Sequence, residues 1–224
     1  MTDNIYTSLC VLFAVLVVVG NLIYQKFVFL PLLPFHVFEL SVGAILYPLT
    51  FLLTDLITEF YGKEKATFCV RLAIFMNVLI AGVISGMDHL EATAWSTVDN
   101  TTFHHVFGLY SVAFIGSIIA CYVAQAVDIT LYLWIRKVTK GKWLWVRNNG
   151  STAISLFVDT AIVISFMTLF NVLPAEHMGP LIANSYLFKL FFSVCSTPLF
   201  YLAVSAINTL QKNQLFSASV EIKR

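Results

Sequence analysis

Six long apolar stretches dominate this sequence, and each is long enough to cross a lipid bilayer as a helix. They lie at about residues 7–29, 39–61, 66–87, 105–135, 151–173 and 181–210. A spanning helix needs about 20 mostly apolar residues, because the hydrocarbon core is about 30 Å thick and each residue of a helix rises 1.5 Å. The pattern predicts an all-α membrane protein, with residues 1–224 forming one bundle of six transmembrane helices.

The scarcity of charge supports this class and narrows the functions. Only 11% of the residues are charged and 59% are hydrophobic, whereas soluble domains carry about 25% charged residues. The four cysteines lie in apolar stretches without metal-ligand spacing, which indicates buried thiols. The sequence has no phosphate-binding loop, no H-E-x-x-H, no G-x-S-x-G and no basic run interleaved with aromatics. We therefore predict no enzyme activity, no cofactor or metal, and no nucleic-acid partner.

The distribution of basic residues predicts the orientation of the bundle. With six spans, both termini and the loops after the second and fourth spans share one side. That side holds eleven of the thirteen basic residues, namely Lys63, Lys65, Arg71, Arg136, Lys137, Lys140, Lys142, Arg147, Lys212, Lys223 and Arg224. Because cytoplasmic loops are enriched in Lys and Arg, we expect a multi-pass protein of the cell inner membrane with cytoplasmic N- and C-termini.

Five ionisable residues fall inside the predicted spans, where each costs roughly 2.5–3.5 kcal/mol at the bilayer centre. They are Asp55, Glu59, Asp128, Asp159 and Lys189. Such groups usually face the bundle interior and have partners, and Asp159 matches the depth of Lys189 best. Glu59 precedes Lys63 by four residues, which fits either an interfacial pair with a lysine or a place among the buried groups.

These residues predict a polar cavity inside the bundle that holds a small polar solute. Asp55, with Gln125 and Asp128 at similar depth, and the Asp159–Lys189 pair would line it. Two structural alternatives remain open: the pair only joins the fifth and sixth spans, and Asn21 only bridges two helices. The segments "FLLTD" (51–55) and "LFVDT" (156–160) occupy corresponding positions in the two halves, as a 3+3 inverted repeat would require.

Four segments resemble the queuosine precursor transporter family of bacteria, which belongs to the vitamin-uptake group of membrane proteins. They are "YPLTFLLTDLITEFYGKEKA" (47–66), "AQAVD" (124–128), "FVDT" (157–160) and "SYLFK" (185–189). The resemblance implies an inner-membrane importer of a 7-deazaguanine base, such as 7-cyano- or 7-aminomethyl-7-deazaguanine or queuine. It also implies a secondary or facilitated mechanism without an ATPase.

The chemistry of the candidate residues fits such a base. One carboxylate accepts two hydrogen bonds from the N–H and amino group on one edge of the base. Asn21, Gln125 or Lys189 would donate to its carbonyl, and Phe51 or Tyr47 would stack on its ring. The partners expected are this small molecule and the lipid bilayer, and a homodimer is compatible with the sequence.

Three rival functions fit the same residues. The protein would be the substrate-binding subunit of an ATPase-driven vitamin transporter, an intramembrane enzyme that uses Asp55 and Asp128, or a purely structural protein. Uptake by this protein alone in liposomes would exclude the first rival. A covalent change in the substrate would favour the second rival, and unmeasurable ligand binding would favour the third.

Overall fold

The computed structural model describes residues 2–24, 26–33, 36–108, 112–171 and 173–221. Its helices are α1 (Thr2–Ile23), α2 (Val42–Asp88), α3 (Asn100–Phe103), α4 (Val112–Val138), α5 (Leu144–Leu169), α6 (Met178–Cys195) and α7 (Thr197–Glu221). A π-helical turn, His104–Gly108, follows α3, and a 3-10 turn, Ala175–His177, leads into α6. Two strands, β1 (Phe27–Leu33) and β2 (His36–Ser41), lie between α1 and α2.

Five helical segments in the described part of the chain are long and apolar enough to cross a membrane. They belong to α1, α2, α4, α5 and α6, while the apolar part of α7, Thr197–Leu210, is shorter. The protein is therefore a multi-pass helical membrane protein, and the predicted class is confirmed.

Helix α2 contains two of the predicted spans. It runs for 47 residues but has non-helical torsion angles at Gly62 (φ 78°, ψ −178°), and a positive φ is easily adopted by glycine. The residues before this break run antiparallel to α1, because Gly43, at the start of α2, approaches Gly20 near the C-terminal end of α1. Residues after it run parallel to α1, since Asn77 bonds to Asn21 at that same end. The chain thus reverses direction at Gly62, between the predicted spans 39–61 and 66–87.

Contacts gather the basic ends of several helices at one end of the bundle. The Tyr6 hydroxyl, near the start of α1, donates to the Lys65 carbonyl just past the Gly62 turn (3.1 Å). The Arg136 guanidinium, near the end of α4, donates to the Glu59 carbonyl (3.2 Å). The start of α1, the Gly62 turn and the end of α4 therefore lie together, which we call the Gly62 end.

The β-hairpin differs from the purely helical prediction. Span one was predicted to continue to residue 29, but α1 ends at Ile23 and β1 pairs antiparallel with β2, with Phe29 opposite Glu39. Aromatic and β-branched residues favour strands, and Pro31 is tolerated because a two-stranded hairpin has only edge strands. Buried Phe38 of β2 packs against Phe188 of α6, which fixes the hairpin on the bundle.

Four further span boundaries differ from the prediction. The predicted span 39–61 begins inside β2, whereas α2 starts at Val42. Span 105–135 begins as a π-helical turn, and α4 starts at Val112. Span 181–210 is divided between α6 and α7 at Ser196, and Pro198, which lacks a backbone N–H, stands in the first turn of α7. Span 151–173 was predicted too late, because α5 already begins at Leu144. The last difference matters most, because it places two polar residues of the predicted loop, Arg147 and Asn148, on a helix.

Replacing Gly43 by Ala is expected to destabilise the protein by about 1–3 kcal/mol, as overpacking of a close helix contact does. A Cβ atom on Gly43 would overlap the Gly20 carbonyl oxygen, which is backbone and cannot rotate away. Gly20→Ala is the matched control, because the nearest atom to its Cβ would be at an ordinary 3.6 Å. Thermal unfolding of both variants in detergent tests this expectation. Equal midpoints for the two variants would contradict the close approach of α1 and α2.

Candidate functional site

Buried polar side chains face one another through the middle of the bundle. Those at most 6% exposed are Asn21, Thr50, Thr54, Asp55, Thr58, Asn77, Gln125, Asp128, Arg147, Asn148, Ser151, Thr152, Ser155, Asp159, Thr160, Lys189 and Ser193. Polar groups avoid hydrocarbon because their transfer into it is costly, so this placement is expected of a membrane bundle. Most of them belong to one of three groups: one around an ion pair, one around two aspartates, and one around the partly buried Glu59.

The first group is built around an ion pair between α5 and α6. The Lys189 ammonium donates to Asp159 Oδ2 (2.8 Å) and to the Thr160 hydroxyl (3.2 Å). The Tyr47 hydroxyl of α2 donates to Asp159 Oδ1 (2.8 Å), and the ammonium lies 4.6 Å from the centre of the Tyr47 ring. The predicted pairing of Asp159 with Lys189 is therefore confirmed.

A cavity adjoins this ion pair, with about 110 Å³ available to the centres of water molecules. Its polar lining includes Asn21, Tyr47, Asp159 and Lys189, and its apolar lining includes residues of β1, α5 and α6. A single water needs about 10–15 Å³ on this measure, so the space accommodates a small organic solute. Leu173 also lines the cavity. Because Leu173 follows the end of α5, the cavity lies toward the end of the bundle opposite to the Gly62 end.

Asn21 joins three helices at the wall of this cavity. Its amide nitrogen donates to Asn77 Oδ1 of α2 (2.9 Å), and its oxygen accepts from the Ser117 hydroxyl of α4 (2.7 Å). The sequence left open whether Asn21 lines a cavity or only bridges helices. In the structure it bridges helices and also lines the cavity.

The second group surrounds Asp55 and Asp128, whose side chains lie within hydrogen-bonding range of each other. Asp55 Oδ2 accepts from the Asn148 amide and from the Thr152 hydroxyl (3.4 Å). Gln125 Oε1 accepts from the Thr54 hydroxyl at 2.8 Å. Asp55, Gln125 and Asp128 are fully buried, and none of the three lines the cavity beside Lys189.

Four atoms of this second group have no hydrogen-bond partner within the described residues: Asp55 Oδ1, both carboxyl oxygens of Asp128, and Gln125 Nε2. The Ser151 and Ser155 hydroxyls lie beside Asp128 but donate to backbone carbonyls. Buried polar atoms are nearly always bonded, since leaving one unpaired costs about 1–3 kcal/mol. The group therefore offers three acceptors and one donor to a bound solute or ion.

An apolar layer separates the first two groups. Phe51 of α2, Ala124 of α4 and Leu156 of α5 are 0% exposed and pack together, with Tyr47 and Tyr186 at the edge of the cluster. Phe51, expected from the sequence to stack on a ligand, contacts this layer and is absent from the lining of the cavity. A solute moving from the cavity to the aspartate pair would have to displace the Phe51 side chain.

The third group, at the Gly62 end, centres on Glu59. Its Oε1 accepts from Arg147 (2.6 Å), its Oε2 accepts from the Tyr132 hydroxyl (2.9 Å), and Arg136 stands 3.7 Å from Oε2. Of the two interpretations of Glu59, an interfacial pair with a lysine is not what the structure shows, because its ion-pair partners are Arg147 and Arg136. Arg147 also donates to the Gly141 carbonyl (2.9 Å), so one of the predicted loop cations is buried and neutralised.

Sequence reasoning missed Asn148, which binds Asp55, because "RNNGS" has the composition of a loop. Helix α5 begins before this segment, directly after Trp143 with its positive φ of 56°. The spacing of Asn148, Thr152, Ser155 and Asp159 by four, three and four residues places all four on one helical face. That spacing was the available signal.

The fold and the site together define a class of protein. Several helices cross the membrane, and a solute-sized cavity lies among their buried ionisable groups, which is the organisation of a membrane transporter for small polar solutes. Residues 41–203 match the family described as "Putative vitamin uptake transporter". The chain belongs to this vitamin uptake transporter family.

Two curated relatives are similar over most of the chain. A Bacillus subtilis (strain 168) protein named "Probable queuosine precursor transporter" is 29% identical over 168 residues, which are 75% of this chain and 72% of the relative. A Haemophilus influenzae protein of the same name is 27% identical over 159 residues, which are 70% of this chain and 65% of the relative. No solved structure matches the chain significantly.

Proposed function

We propose that this protein imports a queuosine precursor, a 7-deazaguanine base, across the bacterial inner membrane by a secondary or facilitated mechanism. The names of both relatives support the substrate, and membership of a transporter family supports transport over catalysis. The observation that carries the proposal is the cavity beside the Asp159–Lys189 pair, which offers an acceptor, a donor and an aromatic ring in one place.

In this proposal the base binds in the cavity with its polar edge toward the ion pair. Asp159 accepts from the N–H and amino group of the base, since a carboxylate has about four acceptor positions and only two are taken by Lys189 and Tyr47. Lys189 donates to the carbonyl of the base, and Asn21 contributes at the wall. The Tyr47 ring offers a face to stack on.

The remaining candidate residues lie further along the same route. After Phe51 moves, the base would meet the unpaired donor of Gln125 and the unpaired acceptors of Asp55 and Asp128. These match the alternation of donors and acceptors on a guanine-like edge. The route thus runs from the cavity, through the apolar layer, to the aspartate pair near the Gly62 end.

Six spans with cytoplasmic termini form part of the same proposal. The reversal at Gly62 supports counting α2 as two spans, which gives six apolar segments with α1, α4, α5 and α6. The 3+3 inverted repeat is supported by the antiparallel contact of α2 with α5. Tyr47 of α2 bonds to Asp159 of α5, and Asn148 of α5 bonds to Asp55 of α2.

Asp159→Asn is expected to weaken binding of a 7-deazaguanine base at least tenfold, about 1.4 kcal/mol. An amide cannot accept two hydrogen bonds on one edge and also hold Lys189. Calorimetric titration of purified protein with the base, and with guanine for comparison, measures the change. The exposed Glu91→Gln variant is the control for loss of an acidic group.

A second variant separates lost binding from lost folding. Ser185 lines the cavity, so Ser185→Phe fills it while all charges remain in place, and it should abolish binding without changing the ion pair. Unchanged affinity in both variants would contradict the location of the site. Uptake by the wild-type protein alone in liposomes would exclude an ATPase-driven complex as the working form.

A further inference from the structure

We propose that the Asp55–Asp128 pair is a proton-binding site, in which one proton is shared between the two facing carboxyl groups. The site is distinct from the cavity beside Lys189, because neither aspartate lines that cavity. Nothing in the names of the relatives or of the family concerns such a site.

The first argument is the separation of two like charges. Both side chains are 0% exposed, and they lie within hydrogen-bonding range of each other. Two carboxylates this close in a water-poor interior repel strongly, since the interaction is far less screened than in water. One proton turns the repulsion into a hydrogen bond, as two carboxyl groups that share a site do elsewhere.

The second argument is the charge of the surrounding helices. On α2 and α5 the nearest charged groups are Glu59 and Arg147, which bind each other at 2.6 Å, and Arg136 of α4 also faces Glu59. On α4 the Tyr132 hydroxyl bonds to Glu59. Each of these groups is therefore already engaged at the Gly62 end.

The remaining neighbours leave the pair without a counter-ion as well. Toward the cavity, Lys189 of α6 is engaged with Asp159 of α5, and Tyr47 of α2 bonds to the same carboxylate. The titratable groups in the described side chains of α1, Tyr6 and Cys10, can lose a proton but cannot carry positive charge. Among the described residues, therefore, no cation forms an ion pair with either aspartate.

The third argument comes from the hydrogen bonds of the pair. Asp55 Oδ2 accepts from Asn148 and Thr152, whereas Oδ1 accepts from no donor in the described part of the chain. Asp55 Oδ1 and both oxygens of Asp128 have no donor within the described residues. A shared proton supplies the donor between Asp55 and one oxygen of Asp128, and the Ser151 and Ser155 hydroxyls lie beside Asp128 for its other oxygen.

A role for this proton in transport rests on the proposed function. Opening of the bundle at the Gly62 end would admit water to the pair, the O–H bond would break, and the proton would pass to that water. The pair would then be doubly ionised and hydrated, and it would accept a proton again before it closed. Transport would thereby respond to pH on the side of the Gly62 end.

Infrared spectroscopy of the ligand-free, full-length protein in lipid tests the site independently of any substrate. At neutral pH we expect the carbonyl stretch of a protonated carboxyl group, shifted in D2O, in the wild type. The band should be lost in the Asp55→Asn/Asp128→Asn double variant, and it should be lost from the wild type as the pH is raised. Glu59→Gln, which removes a partly buried carboxylate on the same helix as Asp55, should keep the band.

Three outcomes would overturn the proposal. They are absence of the band from the wild type, its persistence in the double variant, and its loss when sodium chloride replaces choline chloride. The last result would mean that a sodium ion is the ligand of the pair. If the double variant does not fold, the single Asp128→Asn variant replaces it. A carboxyl band in that variant at the same frequency as in the wild type would also contradict a shared proton.

Discussion

Replacing Lys189 by Met is expected to destabilise the protein by about 3–5 kcal/mol and to abolish binding of the base. The change leaves the Asp159 carboxylate, 1% exposed, with Tyr47 as its one remaining donor among the contacts described here. Removing one member of a buried pair costs this much because an uncompensated charge remains in a medium of low dielectric constant. Denaturant unfolding in mixed micelles, together with ligand titration, measures both effects.

A double-mutant cycle measures how much of the lost stability comes from the interaction between Asp159 and Lys189. Asp159→Asn combined with Lys189→Met removes both charges, so the double variant should be more stable than Lys189→Met alone. Lys137→Met is the control, because this exposed lysine should change stability by no more than about 0.5 kcal/mol. A folded double variant that still binds the base with wild-type affinity would assign the pair a purely structural role.

Replacing Arg147 by Met is expected to cost about 3 kcal/mol of stability. Arg147 is 5% exposed in its side chain and holds Glu59 at 2.6 Å, and it also bonds to the Tyr132 hydroxyl and the Gly141 carbonyl. Its loss would leave Glu59 to Arg136, which stands at 3.7 Å and is 42% exposed. Thermal unfolding in detergent measures the change.

The two arginines on Glu59 form a matched comparison. Arg136→Met should cost less than about 1 kcal/mol, because Arg136 is 42% exposed and stands 3.7 Å from Glu59, and a partly solvated ion pair contributes little. Glu59→Gln in the Arg147→Met background should recover part of the lost stability, since no buried charge would then lack a partner. Equal losses for Arg136→Met and Arg147→Met would contradict the different burial of the two side chains.

The fold was predicted correctly where the hydropathy of one segment is enough to identify a membrane-spanning helix. The predicted stretches 7–29, 105–135, 151–173 and 181–210 each overlap one helix that is long and apolar enough to cross a membrane, and the stretches 39–61 and 66–87 both lie largely in α2. Boundaries were less accurate, and the β-hairpin was missed, because β1 is as apolar as a helix and shares its composition. Hydropathy measures transfer to lipid and does not distinguish a short strand pair from the end of a span.

The sequence predicted only part of the candidate site, namely the residues whose depth in the membrane could be estimated. Asp159 and Lys189 were matched because opposite charges at one depth have a strong reason to meet, and the structure pairs them at 2.8 Å. Asp55 and Asp128 were also placed at one depth. The spacing of the sequence places Asn148 on the helical face of Asp159, but it does not show that Asn148 bonds to Asp55 or that Phe51 packs between the aspartates and the cavity, since both depend on how helices rotate about their axes.

The sequence by itself determined that this chain enters a membrane, because the cost of moving residues into hydrocarbon is a sum over each segment and needs no partner. It also determined which side chains could not face lipid. Only the tertiary structure decided that Glu59 binds arginines, that Lys189 is neutralised and that the aspartates meet without a cation. Those outcomes depend on the directions in which α2, α4, α5 and α6 pack, and packing is a property of pairs of segments.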